Sequence, residues 1–207
     1  RLLRVRWRWQ HALLMGGLAG LATLAKLSGA ALLPLFLLLI AIKGAADAGS
    51  PSSRGMRILA RGAWTLAAFA AVCGWWFIRN WRLYGSLTGT SAMLAMLPLR
   101  DRVSVWQLVV ELPGLFRSWW GAFGCTAPPA WYHLPYLLLS LAGLSGLAWA
   151  CRSRRGWSVA CLLLAAWFAL LFAAYVAWNW RIHAAKGRLL YPALVSVAAG
   201  LGVGLAH

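Results

Sequence analysis

The amino-acid sequence predicts an all-α protein, a polytopic transmembrane helical bundle. Three observations support this prediction. The chain of 207 residues is 62% hydrophobic, its mean hydropathy is +0.71, and its apolar residues fall in long runs separated by polar, glycine- or proline-containing segments. We therefore expect a single transmembrane domain over residues 1–207, with about six apolar helices, embedded as a multi-pass protein in the inner or plasma membrane.

The first apolar run, residues 12–42, is too long for one membrane crossing and is interrupted at Lys26–Gly29. A single helix of this length would extend about 46 Å, whereas the hydrocarbon core is about 30 Å thick. Two helices over 12–25 and 29–42 would each extend about 21 Å, which is shorter than a full crossing. We predict a hairpin of these two short helices with Lys26 at its tip.

The remaining spans are predicted from uninterrupted apolar runs at 61–78, 132–150, 157–178 and 189–206. Residues 43–60 are rich in glycine, serine, proline and charge, and this composition predicts a linker.

The segment 79–130 is too long to be a structureless loop in a compact protein. Within it, apolar residues recur at helical spacing from Val103 to Phe116, beside polar side chains that include Glu111. This pattern predicts an amphipathic helix in the membrane interface, kinked before Pro113. The alternative is an ordinary packed helix in a small loop subdomain.

Basic residues outnumber acidic residues by twenty to three, which gives a net charge of +17. A nucleic-acid-binding protein would carry such cations on a soluble fold rather than between apolar runs, so nucleic acid is disfavoured as a partner. The sequence contains no CxxC motif, His/Cys cluster or paired carboxylates. It therefore assigns no metal site, no other cofactor and no catalytic residue, and it leaves metal dependence open. Asp101 and Glu111 could each act as a base or a metal ligand, although a solvated helix face is the favoured interpretation of both.

Charge also orients the predicted spans. The short basic loop Arg152–Arg155 marks the cytoplasmic side, because short loops obey the positive-inside rule best. With the hairpin arrangement, Lys26 and the segments 79–130 and 179–188 then share the outer face. If the first apolar run crosses the membrane only once, the charge bias favours the opposite arrangement.

Cations from the ends of several predicted helices would meet on that face. Guanidinium and ammonium groups beside a bilayer suit a phosphate whose lipid tail lies in the membrane. The alternative is that these cations simply extend to the interface from helix ends, among belts of Trp and Tyr. The predicted contacts to a lipid phosphate are Lys26, Arg79, Asn80, Arg181, Lys186 and Arg188.

Four segments, in chain order, resemble motifs of the GT-C superfamily, which comprises integral membrane glycosyltransferases that use polyprenyl-phosphate-linked sugars. The resemblance extends over residues 12–205 and is closest to bacterial members known only as predicted membrane proteins. The segments are Gly20–Leu35 (GLATLAKLSGAALLPL), Trp75–Gly85 (WWFIRNWRLYG), Leu115–Gly124 (LFRSWWGAFG) and Lys186–Leu194 (KGRLLYPAL).

This resemblance implies an enzyme that moves a sugar from a lipid-linked phosphate donor to an acceptor on the outer face of the membrane. It implies that a carboxylate base activates the acceptor hydroxyl while cations stabilise the departing phosphate. The catalytic acid of the family lies in its first outer loop, so the chain is expected to be the C-terminal part of a longer enzyme. The expected acceptor-side residues are His183, Trp120 and Tyr84.

Two other functions remain open at this stage. The first is a non-catalytic carrier or transporter of lipid phosphates, which would need polar residues along a pathway in mid-span. The second is a structural membrane subunit, in which substitution of Arg79 or Arg188 would leave the activity of the host complex intact.

Overall fold

The computed structural model describes residues 7–47, 49–121, 128–152, 159–184 and 186–206. This part of the chain is all-helical, apart from one isolated β-bridge. The loop after Arg152 and the end of the third motif, after Gly121, lie outside the described residues. The α-helices are α1 (Trp9–Ala25), α2 (Leu32–Ala46), α3 (Pro51–Tyr84), α4 (Thr90–Leu94), α5 (Val105–Val110), α6 (Leu112–Trp119), α7 (Leu134–Arg152), α8 (Val159–Asn179) and α9 (Leu194–Leu205). Short 3₁₀ helices occupy Leu27–Ala31, Ala130–His133 and Gly187–Ala193.

Helical segments of sufficient length and apolar character to cross a membrane indicate a multi-pass membrane protein. Among the described residues there are five: Leu27–Ala46, Pro51–Tyr84, Ala130–Ala150, Val159–Asn179 and Gly187–Leu205. Helix α1 is shorter, with 17 residues. The six-helix count and the arrangement of the bundle therefore remain predictions.

The first apolar run is interrupted where the sequence predicts it. Lys26 has extended backbone angles (φ −157°, ψ 132°), which end the helical pattern of α1. Gly29 then packs so closely against the carbonyl group of Ala22 that no side chain would fit. The chain thus folds back on the last turn of α1 before α2 begins. Helix α1, with 17 residues, is shorter than the roughly 20 residues of a full crossing. Helix α2 and the 3₁₀ helix before it together have 20 residues, Leu27–Ala46, so the second helix of the predicted hairpin is longer than expected.

The predicted linker over 43–60 is wrong for most of its length. Helix α2 continues to Ala46, and α3 already begins at Pro51. The Ser50 hydroxyl caps α3 by accepting a hydrogen bond from the Ser53 N–H at 3.3 Å. Proline fits the first helical turn because an N–H at that position would have no partner inside the helix. The serine and proline residues that suggested a loop are therefore a helix start.

The chain divides into two compact units, Arg1–Leu97 (unit 1) and Pro98–His207 (unit 2). In unit 1, α1 packs on α3. The hydroxyl of Thr65 on α3 is shared between the carbonyl of Ala12 on α1, at 3.1 Å, and the carbonyl of Arg61 in its own helix, at 3.0 Å. Small side chains allow this close approach of the two backbones. The buried face of α1 consists of Ala12, Gly16, Ala19, Gly20 and Thr23.

A buried cation in unit 1 is paired with an acid. The ammonium group of Lys43 at the end of α2 lies 2.7 Å from Asp47, and the guanidinium of Arg61 lies 2.9 Å from the other oxygen of that carboxylate. The hydrogen bond from Lys43 lowers the pKa of Asp47; partial burial opposes this, and Arg61 acts in the same direction as Lys43. The ion pairs keep the charge of Lys43 compensated in an apolar surrounding.

In unit 2, α7 and α9 pack at a glycine contact. A side chain on Gly146 would strike the carbonyl of Gly204, and one on Gly204 would strike the carbonyl of Gly143. The helix pair therefore depends on the absence of side chains at these positions. The indole N–H of Trp167 on α8 donates to the carbonyl of Pro192 at 2.9 Å, which ties α8 to the 3₁₀ helix that precedes α9.

The predicted amphipathic helix consists of two short helices, α5 and α6, which meet at Glu111. The break lies before Pro113, as predicted. On α5, at 100° per residue, the five apolar side chains span an arc of about 200°, and Gln107 and Glu111 lie on the other side. Leu108 at one edge of this arc is half-buried, and the other four apolar side chains are exposed: Val105, Trp106, Val109 and Val110.

Candidate functional site

Four of the predicted site residues belong to unit 1. Lys26 and Arg79 are exposed, and neither side chain forms a hydrogen bond or ion pair with another described residue. Tyr84 is the last residue of α3 and is exposed. Asn80 is buried, with 3% of its surface exposed, and its amide N–H₂ points at the carbonyl of Leu87 at 3.5 Å. Its side chain therefore packs within the turn that follows α3.

The other five predicted residues belong to unit 2. Arg181, His183, Lys186 and Arg188 lie on the segment between α8 and α9, and all four are exposed. Trp120 is half-buried, and its ring stacks on that of Tyr136 with a centroid distance of 4.7 Å and an interplanar angle of 18°. The predicted site residues are thus divided between the two units. Unit 1 contains Lys26, Arg79, Asn80 and Tyr84. Unit 2 contains Trp120, Arg181, His183, Lys186 and Arg188.

The segment between α8 and α9 is held in place by a buried asparagine. Asn179 is the last residue of α8, and its amide N–H₂ donates to the carbonyl of Tyr175 at 2.9 Å. Its side-chain oxygen accepts a hydrogen bond from the N–H of Ala184 at 3.1 Å. Ile182 is buried between them in sequence, so the exposed side chains of Arg181 and His183 flank an anchored residue.

A second basic segment pairs with this one. Leu99 and Ile182 form an isolated antiparallel bridge, and the N–H of Arg100 donates to the carbonyl of Arg181 at 3.0 Å. The bridge joins residues more than eighty positions apart, so no local sequence pattern predicted it. We name the cations of these two paired segments the basic junction: Arg100, Arg102, Arg181, Lys186 and Arg188.

The far end of the basic junction is fixed by α6. The N–H of Gly187 donates to the hydroxyl of Ser118 at 2.6 Å, and Gly187 lies so close to the backbone of Trp119 that no side chain would fit. The Tyr191 ring meets the Trp119 ring edge-on, with centroids 5.3 Å apart. Two of the four motif segments, those around Ser118 and Gly187, are therefore in direct contact.

An acid lies beside the basic junction. Glu111 Oε1 is 2.5 Å from the guanidinium of Arg100 and 3.1 Å from Nδ1 of His183, and Arg100 also contacts His183. From the sequence, a solvated helix face was favoured for Glu111 over a role as base or metal ligand, and no role was predicted for Arg100. These side chains surround an open depression of about 550 Å³, lined by Arg100, Asp101, Arg102, Gln107, Glu111 and His183.

Within the described ranges, no group of three or more His, Cys, Asp or Glu side chains could hold a metal ion. The side chains at and beside the basic junction are cations, the carboxylates of Asp101 and Glu111, an exposed imidazole and an amide. Such a set can bind and orient an anion and exchange hydrogen bonds with hydroxyl groups.

Comparison with known proteins found no relative of this chain. No protein-family model, curated protein or solved structure matches this chain.

Proposed function

We propose that the basic junction binds the phosphate group of a membrane-anchored lipid, and that the protein is part of an integral membrane glycosyltransferase. In this proposal a sugar moves from a lipid-linked phosphate donor to an acceptor on the outer face of the membrane. The observation that carries the proposal is the Leu99–Ile182 bridge, because it unites two cation-bearing segments, one of which connects two candidate spans.

Position and charge support an anionic lipid as the ligand. The segment with Arg181, Lys186 and Arg188 connects two candidate spans, Val159–Asn179 and Gly187–Leu205. An anion bound there would lie at the height of the headgroups while its lipid tail packed along apolar helices. Arginine binds phosphate oxygens in a bidentate manner and is weakly hydrated, which favours it over lysine beside a bilayer.

The exposed arc of α5 supports a position in the membrane interface. Trp106 is 72% exposed and Val110 is 59% exposed, although both are large apolar side chains. The helix is only six residues long, so it cannot cross a bilayer, whereas its apolar arc can enter the acyl boundary. We propose that α5 and α6 lie in the interface beside the basic junction.

The transfer reaction itself is supported by the resemblance of the four motif segments. As the bond between the sugar and the phosphate breaks, negative charge develops on the phosphate oxygens. Cations already in place stabilise that charge with little reorganisation. In this scheme Arg181 and Arg188 hold the leaving phosphate. An acceptor hydroxyl approaches from the aqueous side, its oxygen bonds to the anomeric carbon as the bond to the phosphate breaks, and its proton passes to the carboxylate base that the resemblance implies.

A binding titration tests the proposal. The probe is polyprenyl phosphate in phosphatidylcholine nanodiscs, and uncharged polyprenol serves as the ligand control. We expect wild type to bind the phosphate and not the alcohol, and the double variant Arg181→Gln/Arg188→Gln to bind at least about tenfold more weakly, since it loses charge-assisted hydrogen bonds.

Arg152→Gln is the matched protein control, because Arg152 is an exposed arginine of the same unit that ends α7, away from the junction in sequence. Its affinity should equal that of wild type. The proposal fails if polyprenol binds as tightly as polyprenyl phosphate, or if the double variant and Arg152→Gln are indistinguishable.

A further inference from the structure

Glu111 is the half-buried one of two carboxylates in a mostly cationic depression; the other, Asp101, is exposed. Only 18% of its side chain is accessible. Both of its contacts, to Arg100 and to His183, are made by the same oxygen, Oε1. The other oxygen, Oε2, is buried and has no hydrogen-bond partner among the described residues.

An acid at this position needs an explanation, because it works against phosphate binding. A carboxylate repels a phosphate and competes with it for the guanidinium of Arg100. In addition, a buried polar atom without a hydrogen-bond partner destabilises the protein, and more so when it is charged. A ligand that donates a hydrogen bond to Oε2 would recover this cost.

The surroundings of Glu111 suit a ligand rich in hydroxyl groups. His183 lies over the carboxylate with 71% of its side chain exposed, so it can turn aside to admit a ligand. Gln107 lies one helical turn before Glu111 on the same side of α5. Its side-chain oxygen accepts a hydrogen bond from the N–H of Ser104 at 2.9 Å, and its N–H₂ group is left to donate a hydrogen bond to a ligand. The depression is thus lined by two carboxylates, Glu111 and the exposed Asp101, and by the N–H₂ group of Gln107, beside its cations.

We infer that Glu111 recognises a hydroxyl group of a polyol that is esterified to the bound phosphate. The ligand class is a phosphate ester that bears a polyol, and Glu111 is the residue that distinguishes it from a bare phosphate. This inference rests on the proposed function, since it concerns the same site. The shared chemistry could come from a polyprenyl-phosphate sugar or from a bilayer lipid with a polyol headgroup.

The test measures headgroup preference with two pairs of probes. The first pair is a polyprenyl-phosphate hexose and polyprenyl phosphate; the second is phosphatidylglycerol and phosphatidic acid. We expect wild type to prefer the polyol-bearing member of at least one pair by about tenfold, as hydrogen bonds to a buried charged group contribute on that scale. The pair that shows the preference identifies the source of the ligand.

Glu111→Gln preserves the shape of the side chain and removes its charge. We expect this variant to lose most of the preference, while its affinity for the bare phosphate stays the same or increases. Equal binding within both pairs by wild type overturns the inference, and this outcome does not depend on the folding of any variant. An unchanged preference in Glu111→Gln overturns it as well.

The two proposals fail in different ways. If wild type binds none of the four phosphate lipids, the proposed function fails. If it binds them without regard to the headgroup, the proposed function stands and the role of Glu111 alone is wrong.

Discussion

Replacement of Gly16 by valine is expected to disrupt the packing of α1 against α3 and to lower the stability of the protein. A Cβ atom at Gly16 would collide with the carbonyl of Thr65 and lie 2.9 Å from the Cβ atom of Ala68. The backbone carbonyl cannot move aside by a rotamer change, so the helices must separate. Separation also breaks the hydrogen bond from Thr65 to Ala12. Overpacking of a core costs about 1–3 kcal/mol, and for a chain of this length a midpoint of thermal unfolding lowered by about 2–12 °C would follow.

The matched control is Gly17→Val. Gly17 is the next residue of the same helix, and a Cβ atom there would meet nothing within 4 Å. Both substitutions exchange glycine for a β-branched residue, so they share any effect on helix propensity. Thermal unfolding in detergent, monitored by size-exclusion chromatography after heating, should separate the two variants. Equal midpoints would show that α1 and α3 do not pack at Gly16.

The second large effect is expected at Gly187, where a side chain would strike the backbone of Trp119. Gly187→Val should push α6 away from the 3₁₀ helix Gly187–Ala193 and break the hydrogen bond to Ser118. Arg188 would then move relative to the rest of the basic junction, although every cation is still present. We expect binding of polyprenyl phosphate to weaken by at least about tenfold, as in the double arginine variant.

Gly114→Val controls for this result. Gly114 belongs to α6, and a Cβ atom there would meet nothing within 4 Å. Its titration with polyprenyl phosphate should match that of wild type. If Gly187→Val also binds like wild type while remaining folded, the geometry of the junction is unimportant and only its charge matters.

Much of the helical architecture follows from patterns along the chain. Long apolar runs predicted the spans because burial in a bilayer demands them regardless of tertiary contacts. The interruption at Lys26 was predicted because a cation and a glycine in an apolar run oppose a continuous helix. The prediction of a linker over 43–60 was wrong because composition alone does not distinguish a loop from the start of a helix. The order of Ser50 and Pro51, a capping serine followed by proline, does distinguish them.

The candidate site was less accessible to sequence reasoning. The cations from Arg181 to Arg188 are neighbours in sequence, so their common location was predicted. The contribution of Arg100 and Glu111 depends on the pairing of Leu99 with Ile182, a contact between distant residues that a single bridge maintains. A signal did exist in the Arg-Asp-Arg run that follows Leu99, but it did not indicate a partner.

Photo-crosslinking in a bilayer tests the central claim most directly. The probe is polyprenyl phosphate with a diazirine on the isoprene unit next to the phosphate, and crosslinked peptides are identified by mass spectrometry. The account predicts that crosslinks concentrate at residues 99–102 and 181–188, and that unlabelled polyprenyl phosphate displaces them while polyprenol does not. Crosslinks spread evenly along the membrane spans, or displaced equally by polyprenol, would contradict it.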